Sequence, residues 1–300
     1  MTEQDRLRDW YRAFVDRMAA NPDMGLVVMR EAFERFHTVA GEAPGVSFAD
    51  EDAGGIPALW CIPAGGAADR AVLFFHGGGF VIGSPFSHRK LAAHLAAAAG
   101  VRVLALDYRL APHHPFPAQI DDAVAAYRWL LGRGLRPEHI ATAGDSAGGN
   151  LATTVVLKLR DLGEPLPAAI APLSPWYDME LKLPGLDAHA ATDAMVQRSL
   201  LQGLTAAFLG GASPTDPLIN PLYADLTGLP PLFLSAGGHE TLADNVTALA
   251  ERARAAGVDV TVEITPGRQH VFQAAAGRHP DADASVAAIG GWLRKQLGLP

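Results

Sequence analysis

The sequence predicts an α/β protein whose mostly parallel sheet is covered by helices on both faces. From residue 71 onward, short apolar segments alternate with helical segments, and glycines follow several of the helical segments. Strands that are apolar on both faces need a layer on each side, which is typical of parallel sheets. With 300 residues, 49% of them hydrophobic and 19% charged, the chain can bury one large core.

The predicted strands and helices follow one another in regular alternation. Gly100, Gly163 and Gly257 lie where glycines that end helices belong. Residues 56–62 are a candidate for an antiparallel edge strand upstream of the others. The strands are predicted at residues 71–75, 101–106, 140–143, 168–173, 231–236 and 258–264, and the helices at 87–99, 118–131, 147–162, 242–256 and 283–297.

Two segments fall outside this alternation. Residues 3–36 have the apolar spacing of helices, with a break at Asn21-Pro22. Residues 176–215 form a connection that is too long for a simple crossover. We predict an N-terminal helical cap segment over 1–45 and a catalytic domain over 46–300, with a cap insertion at about 176–215. A plain surface insertion is the alternative for the second segment.

Composition restricts the partners and the compartment. A net charge of −8 and a pI of about 5.7 argue against nucleic acid as a partner, because an acidic surface repels phosphate. The single cysteine, Cys61, allows no intrachain disulfide and is expected to be a core residue. No secretory signal and no apolar run long enough for a membrane span are evident. A soluble, cytoplasmic protein is therefore expected.

The strongest functional signal is the segment Gly144-Asp145-Ser146-Ala147-Gly148-Gly149. It follows the predicted strand 140–143 and precedes a predicted helix, which is the setting of a nucleophile elbow. Small neighbours let the chain turn tightly around the serine, whose hydroxyl then projects at the positive end of the helix. We predict that Ser146 is a catalytic nucleophile; an N-capping serine in a plain turn is the alternative.

A glycine-rich segment, His76-Gly77-Gly78-Gly79-Phe80, directly follows the predicted strand 71–75. It lacks the lysine of a phosphate-binding loop and the glycine spacing of a dinucleotide site. Backbone N–H groups can approach a ligand closely where side chains are absent. We predict an oxyanion hole formed by the N–H groups of Gly78, Gly79 and Ala147.

A base and an acid are expected downstream of the serine. His270 lies in a loop after the strand predicted at 258–264, and the chain order serine, acid, histidine is that of this kind of site. Two carboxylates, Glu240 and Asp244, follow the strand predicted at 231–236. We favour Glu240 as the acid because it lies directly after the strand, whereas Asp244 is explained by its place at a helix start.

Together these motifs resemble those of the hormone-sensitive-lipase-like esterases, as does the segment Asp107-Tyr108-Arg109-Leu110-Ala111-Pro112. The resemblance runs from about residue 70 to the C-terminus. It implies an α/β-hydrolase fold with a sheet of about eight strands and a helical cap. It also implies a carboxylesterase that prefers short acyl chains and a small ester substrate, uses no cofactor, and often forms a homodimer. No metal site is expected, because the pair His113-His114 is flanked by prolines and has no nearby set of ligands.

Three positions depart from the pattern of that family. Glu240 replaces the more usual aspartate, His113 replaces a glutamate, and Arg268 stands where an apolar residue is common. Arg268 is expected to alter the pocket rim or the pKa of the base. A lactone hydrolase or amidase on the same triad remains an alternative function. A non-catalytic ligand-binding receptor is a further alternative, although receptors on this scaffold have lost the histidine that is present here.

Overall fold

A computed structural model describes residues 6–300, which form a single sheet with helices on both sides. The strands are β1 (Val46–Asp52), β2 (Pro57–Pro63), β3 (Ala67–Phe75), β4 (Val101–Leu106), β5 (Ile140–Asp145), β6 (Ala169–Leu173), β7 (Leu232–Gly237) and β8 (Val260–Thr265). The helices are α1 (Arg6–Ala20), α2 (Leu26–Glu34), α3 (Pro85–Ala99), α4 (Ala118–Gly132), α5 (Ala147–Asp161), α6 (Gly185–Ala188), α7 (Arg198–Leu209), α8 (Ala243–Ala255) and α9 (Pro280–Gln296).

The eight strands form one sheet in the order β1-β2-β4-β3-β5-β6-β7-β8. β2 pairs antiparallel with both β1 and β4, and every other neighbouring pair is parallel. The predicted fold class, an α/β-hydrolase with a mostly parallel sheet, is confirmed. Because the carboxyl ends of parallel strands meet at one edge, this topology brings the loops after β3, β5, β7 and β8 together.

The strands in the middle of the sheet belong to the buried core of the molecule. Every residue of β5, β6 and β7 is buried, which explains why these strands read as unbroken apolar segments. Helix α5 follows β5 and is buried along most of its length. At the edge, β8 alternates between exposed and partly buried residues. Rigid central strands therefore carry the loops that form the site.

The N-terminal helices pack on each other through a cluster of aromatic rings. Trp10 stacks on Phe14 with 5.4 Å between ring centres, and Phe33 and Phe36 complete the cluster. Helices α6 and α7 lie in the second segment predicted to fall outside the alternation. The predicted helical region begins at residue 3, and its first three residues lie outside the described part of the chain. The division into a cap and a catalytic domain stays a prediction.

Cys61 lies in β2 and is fully buried, as expected for a core residue. Its burial raises the pKa of the thiol to about 12. None of the helices within residues 6–300 combines the length and the apolar character that crossing a membrane requires.

Candidate active site

Ser146 occupies a sharp turn between β5 and α5, as the motif predicts. Its backbone has a φ of 55° and a ψ of −118°, a conformation that non-glycine residues rarely adopt. Its N–H donates to the carbonyl of Leu173 at 2.9 Å, which fixes the turn against β6. A Cβ on Gly148 would lie 1.9 Å from the carbonyl oxygen of Phe75, so only glycine lets the turn approach β3 this closely.

The glycine-rich segment directly follows β3 and lies beside this turn. Gly78 and Gly79 line the same cavity as Ser146. The carbonyl of Gly78 accepts hydrogen bonds from the N–H groups of Val81 and Ile82, at 3.1 and 3.0 Å, which gives the loop a defined shape. Ala147, the third predicted donor, is buried as the first residue of α5. Backbone N–H groups at a helix start carry the positive end of the helix dipole.

Glu240 and His270 lie in the loops after β7 and β8, respectively, and both are almost completely buried. Nδ1 of His270 is 3.6 Å from Oε2 of Glu240, within ion-pair range but beyond a normal hydrogen bond. In residues 6–300, neither Nδ1 of His270 nor Oε1 of Glu240 has a hydrogen-bond partner. Catalytic hydrogen bonds often tighten only once substrate is bound.

Asp244, the other candidate acid, has a different contact. It lies in the first turn of α8, and its Oδ2 accepts a hydrogen bond from the N–H of Gly185 at 2.7 Å. That bond ties α8 to the start of α6. The structure thus brings Glu240, and not Asp244, into an ion-pair contact with His270.

The charge around His270 favours its protonated form. Burial alone lowers the pKa of the ring, but the neighbouring carboxylate of Glu240, with smaller contributions from Asp193 and Asp145, outweighs burial. The net result is a pKa above the usual 6.5. Arg268, two residues before His270, is not among the groups that shift the pKa of this ring. It pairs with Asp281 at 3.1 Å and with His279 at 2.8 Å, near the start of α9.

Two residues that the sequence analysis did not select also hold His270 and Glu240 in place. The hydroxyl of Ser174 donates to Oε2 of Glu240 at 2.7 Å and accepts from the N–H of Val271 at 3.0 Å. The hydroxyl of Tyr11, on α1, donates to the backbone carbonyl of His270 at 2.8 Å. Tyr11 belongs to the apolar stripe of a predicted helix, and nothing in that spacing reveals a polar partner 259 residues away.

The cavity beside Ser146 is lined mainly by apolar side chains from the two segments outside the strand–helix alternation. Leu204 of α7 lies over the glycine-rich segment, since a Cβ on Gly79 would be 2.5 Å from its Cδ1. Trp176 also lines the cavity, whereas Phe208 stacks on Phe80. The N-terminal lining residues are Tyr11, Phe14, Met18, Met29, Phe33 and Phe36, and those of the second segment include Met195, Val196, Leu200, Leu201 and Leu204.

His113 and His114 lie in the loop between β4 and α4, and neither lines the cavity. Throughout residues 6–300, no group of three or more histidine, cysteine, aspartate or glutamate side chains is placed to hold a metal ion.

Several known proteins that are similar to this chain are hydrolases or esterases. A family model described as the alpha/beta hydrolase fold matches residues 72–274. The chain is 42% identical over 229 residues to an acetyl-hydrolase of Streptomyces hygroscopicus, covering 76% of this chain and 77% of that protein. It is 37% identical over 240 residues to the carboxylesterase/phospholipase LipF of Mycobacterium tuberculosis, covering 78% and 64%.

A solved structure of an esterase from the bacterial hormone-sensitive lipase family is similar over almost the whole length. It covers 99% of this chain and 98% of its own, with a TM-score of 0.94 and 44% identity. The chain therefore belongs to the α/β-hydrolase family, and the predicted resemblance to hormone-sensitive-lipase-like esterases is confirmed. These relatives also confirm the predicted enzyme class, a serine hydrolase acting on ester bonds.

Proposed function

We propose that the chain is a carboxylesterase that hydrolyses short-chain esters through Ser146, His270 and Glu240. One observation carries the proposal: Ser146, Gly78, Gly79 and His270 line a single cavity, and Glu240 lies 3.6 Å from the histidine ring. Nucleophile, base and oxyanion donors must meet around one reacting carbonyl, and this cavity is where they can do so.

In the first step, the hydroxyl of Ser146 attacks the ester carbonyl while neutral His270 takes its proton. Glu240 supports the imidazolium that forms, and the N–H groups of Gly78, Gly79 and Ala147 stabilise the oxyanion. Loss of one such donor typically costs about 3 kcal/mol of transition-state stabilisation. His270 then protonates the leaving alcohol. Water attacks the acyl-enzyme by the same route and releases the acid.

The lining of the cavity supports an uncharged ester with small apolar groups. The rings of Phe14 and Phe33 and the leucines of α7 close around the space next to Ser146, so a bound acyl chain would contact hydrocarbon. These side chains come from the two segments predicted to form a cap, which we include in the proposal.

The direct test is hydrolysis of p-nitrophenyl butyrate by the wild type and by Ser146→Ala. We expect turnover by the wild type and its loss in the variant, and we expect the decanoate ester to be a poorer substrate than the butyrate. A lactone and an anilide, tested beside them, separate an esterase from a lactonase or an amidase. A folded wild type without activity on any of these substrates would overturn the proposal.

A further inference from the structure

A second imidazole–carboxylate pair lies in the same cavity as Ser146. Asp145 directly precedes the serine, and its Oδ2 is 3.2 Å from Nε2 of His88 on α3. Both side chains are buried, with exposed fractions of 2% and 1%, and both line the cavity. The mechanism proposed above does not use either group.

The ring of His88 lies between Ser87 and Asp145. Oγ of Ser87 is 2.9 Å from both the carbonyl of Ser84 and Nδ1 of His88. Nε2 faces Oδ2 of Asp145, which only accepts, so Nε2 carries a hydrogen in this contact. A buried carboxylate is stabilised by an opposite charge beside it, and the imidazole of His88 lies within ion-pair distance of Asp145.

The carboxylate of Asp145 supports the glycine-rich segment at residues 76–80, which is the oxyanion loop of the proposed mechanism. Its Oδ1 accepts a hydrogen bond from the N–H of Gly77 at 3.1 Å. A Cβ on Gly77 would lie 2.2 Å from Oδ2, so the loop rests directly against the carboxyl group. Gly77 immediately precedes Gly78 and Gly79, and its position influences where their N–H groups lie.

A bare carboxylate at this place would oppose catalysis. It would repel the negative charge that develops on the substrate oxygen, and this repulsion is strong in a buried site. His76, the next imidazole, does not offset it. Burial, together with the positive charge of His88, lowers the pKa of His76 to about 3, and its ring stacks on Tyr108. His88 is therefore the imidazole that is placed to balance the negative charge of Asp145.

We propose that His88 is a positioning residue: a buried imidazolium that balances Asp145, so that this carboxylate can hold the oxyanion loop without repelling the oxyanion. The inference rests on the proposed esterase function. His88 acts through Asp145 and does not exchange protons with the substrate.

The charge that His270 experiences gives the test. Asp145 on β5, Glu240 after β7 and Asp193 from the 176–215 segment all raise its pKa. Three further titratable groups lie near the two pairs: Tyr11 on α1, His76 after β3 and Tyr108 after β4. If His88 cancels the charge of Asp145, a neutral side chain at position 88 should raise the pKa of His270 further.

The experiment compares the wild type, His88→Gln, Asp145→Asn and the double variant. For His88→Gln we expect kcat for p-nitrophenyl butyrate to fall about tenfold, and the acid limb of kcat/KM to move up by about 0.5–1 pH unit. Asp145→Asn should move the limb down. In the double variant both charges are absent, so the limb should return towards the wild type and kcat should exceed that of His88→Gln. Four superimposable acid limbs, with only the melting temperature changed, would overturn the proposal.

A measurement independent of activity keeps the inference separate from the proposed function. Long-range ¹H–¹⁵N NMR of the full chain, with His88→Gln to assign the signal, should show both nitrogens of His88 protonated at pH 7. A neutral His88 would overturn the inference even in an active esterase. A protonated His88 in a protein that hydrolyses no ester would support the charge balance and overturn the esterase proposal instead.

Discussion

Two imidazole–carboxylate pairs border the same nucleophile, and they differ in how fully they are engaged. His88 contacts Ser87 through one nitrogen and Asp145 through the other, on a helix and at the end of a central strand. His270 lies in a loop, and its 3.6 Å contact with Glu240 is longer than the 3.2 Å contact between His88 and Asp145. Within residues 6–300, Nδ1 of His270 and Nε2 of His88 both lack a hydrogen-bond partner. A ring with close contacts at both nitrogens suits a fixed charge, whereas a ring held less closely can exchange a proton.

The largest expected difference between the pairs is in kcat. His270→Gln removes the base, and we expect kcat to fall by a factor on the order of 10⁴ to 10⁶. His88→Gln should cost only about tenfold, since it disturbs charge balance alone. Steady-state kinetics with p-nitrophenyl butyrate measures both. Equal losses in the two variants would erase the distinction between a base and a fixed charge.

The next effect concerns the acid. Glu240→Gln keeps the size of the side chain but removes its charge, and we expect kcat to fall by about 10⁴. The matched control is Asp244→Asn, whose amide oxygen can still accept from Gly185. This variant should stay within a few-fold of the wild type. The reverse ranking would make Asp244 the acid and contradict the assignment.

The pH profile tests the electrostatics of the catalytic pair. His270 must be neutral to accept the proton of Ser146, and the carboxylates around it raise its pKa above 6.5. We therefore expect kcat/KM to increase with pH, with the midpoint of its acid limb above pH 6.5. A midpoint below 6.5 would show that burial outweighs the surrounding carboxylates.

The smallest expected effect concerns the link between α1 and the base. Tyr11→Phe leaves the buried carbonyl of His270 without its 2.8 Å hydrogen bond, which should lower the free energy of unfolding by about 1–2 kcal/mol. We also expect kcat to fall by about three- to tenfold, because the bond fixes the backbone of the base. Urea unfolding and steady-state kinetics measure the two effects.

Tyr127→Phe is the matched control. Tyr127 donates a comparable hydrogen bond to the carbonyl of Pro165 at 2.9 Å, and it does not line the cavity. It should lose similar stability and keep its kcat. If both tyrosine variants keep kcat, the bond from Tyr11 only stabilises the fold.

The sequence predicts the elements that are buried or bear small residues at fixed spacing. Strand β4 matches its expected bounds, and the turn around Ser146 lies between a strand and a helix as its motif indicates. Strand β1 is missed because it is a largely exposed edge strand that ends in Asp50, Glu51 and Asp52, with no apolar run to reveal it. The other strands shift by one or two residues at their ends, or by four at the start of β3.

For the candidate site, local motifs single out Ser146 and the glycine-rich segment but not the residues that hold His270, Glu240 and Asp145 in place. Ser174 bonds to Glu240 and Tyr11 bonds to the carbonyl of His270, each through a hydrogen bond between distant parts of the chain. His88 lies in an ordinary helical stretch, and its pairing with Asp145 depends on how α3 packs against the sheet. Arg268 pairs with Asp281 and His279 near the start of α9, and its influence on the pocket rim stays a prediction.

The central claim is that Ser146 is a nucleophile activated by His270. Reaction with diethyl p-nitrophenyl phosphate, followed by intact-protein and peptide mass spectrometry, tests it most directly. We predict one diethylphosphoryl adduct per chain, located on Ser146, formed rapidly by the wild type and very slowly by His270→Gln. An adduct on another residue, or equal labelling rates for the wild type and His270→Gln, would contradict the account.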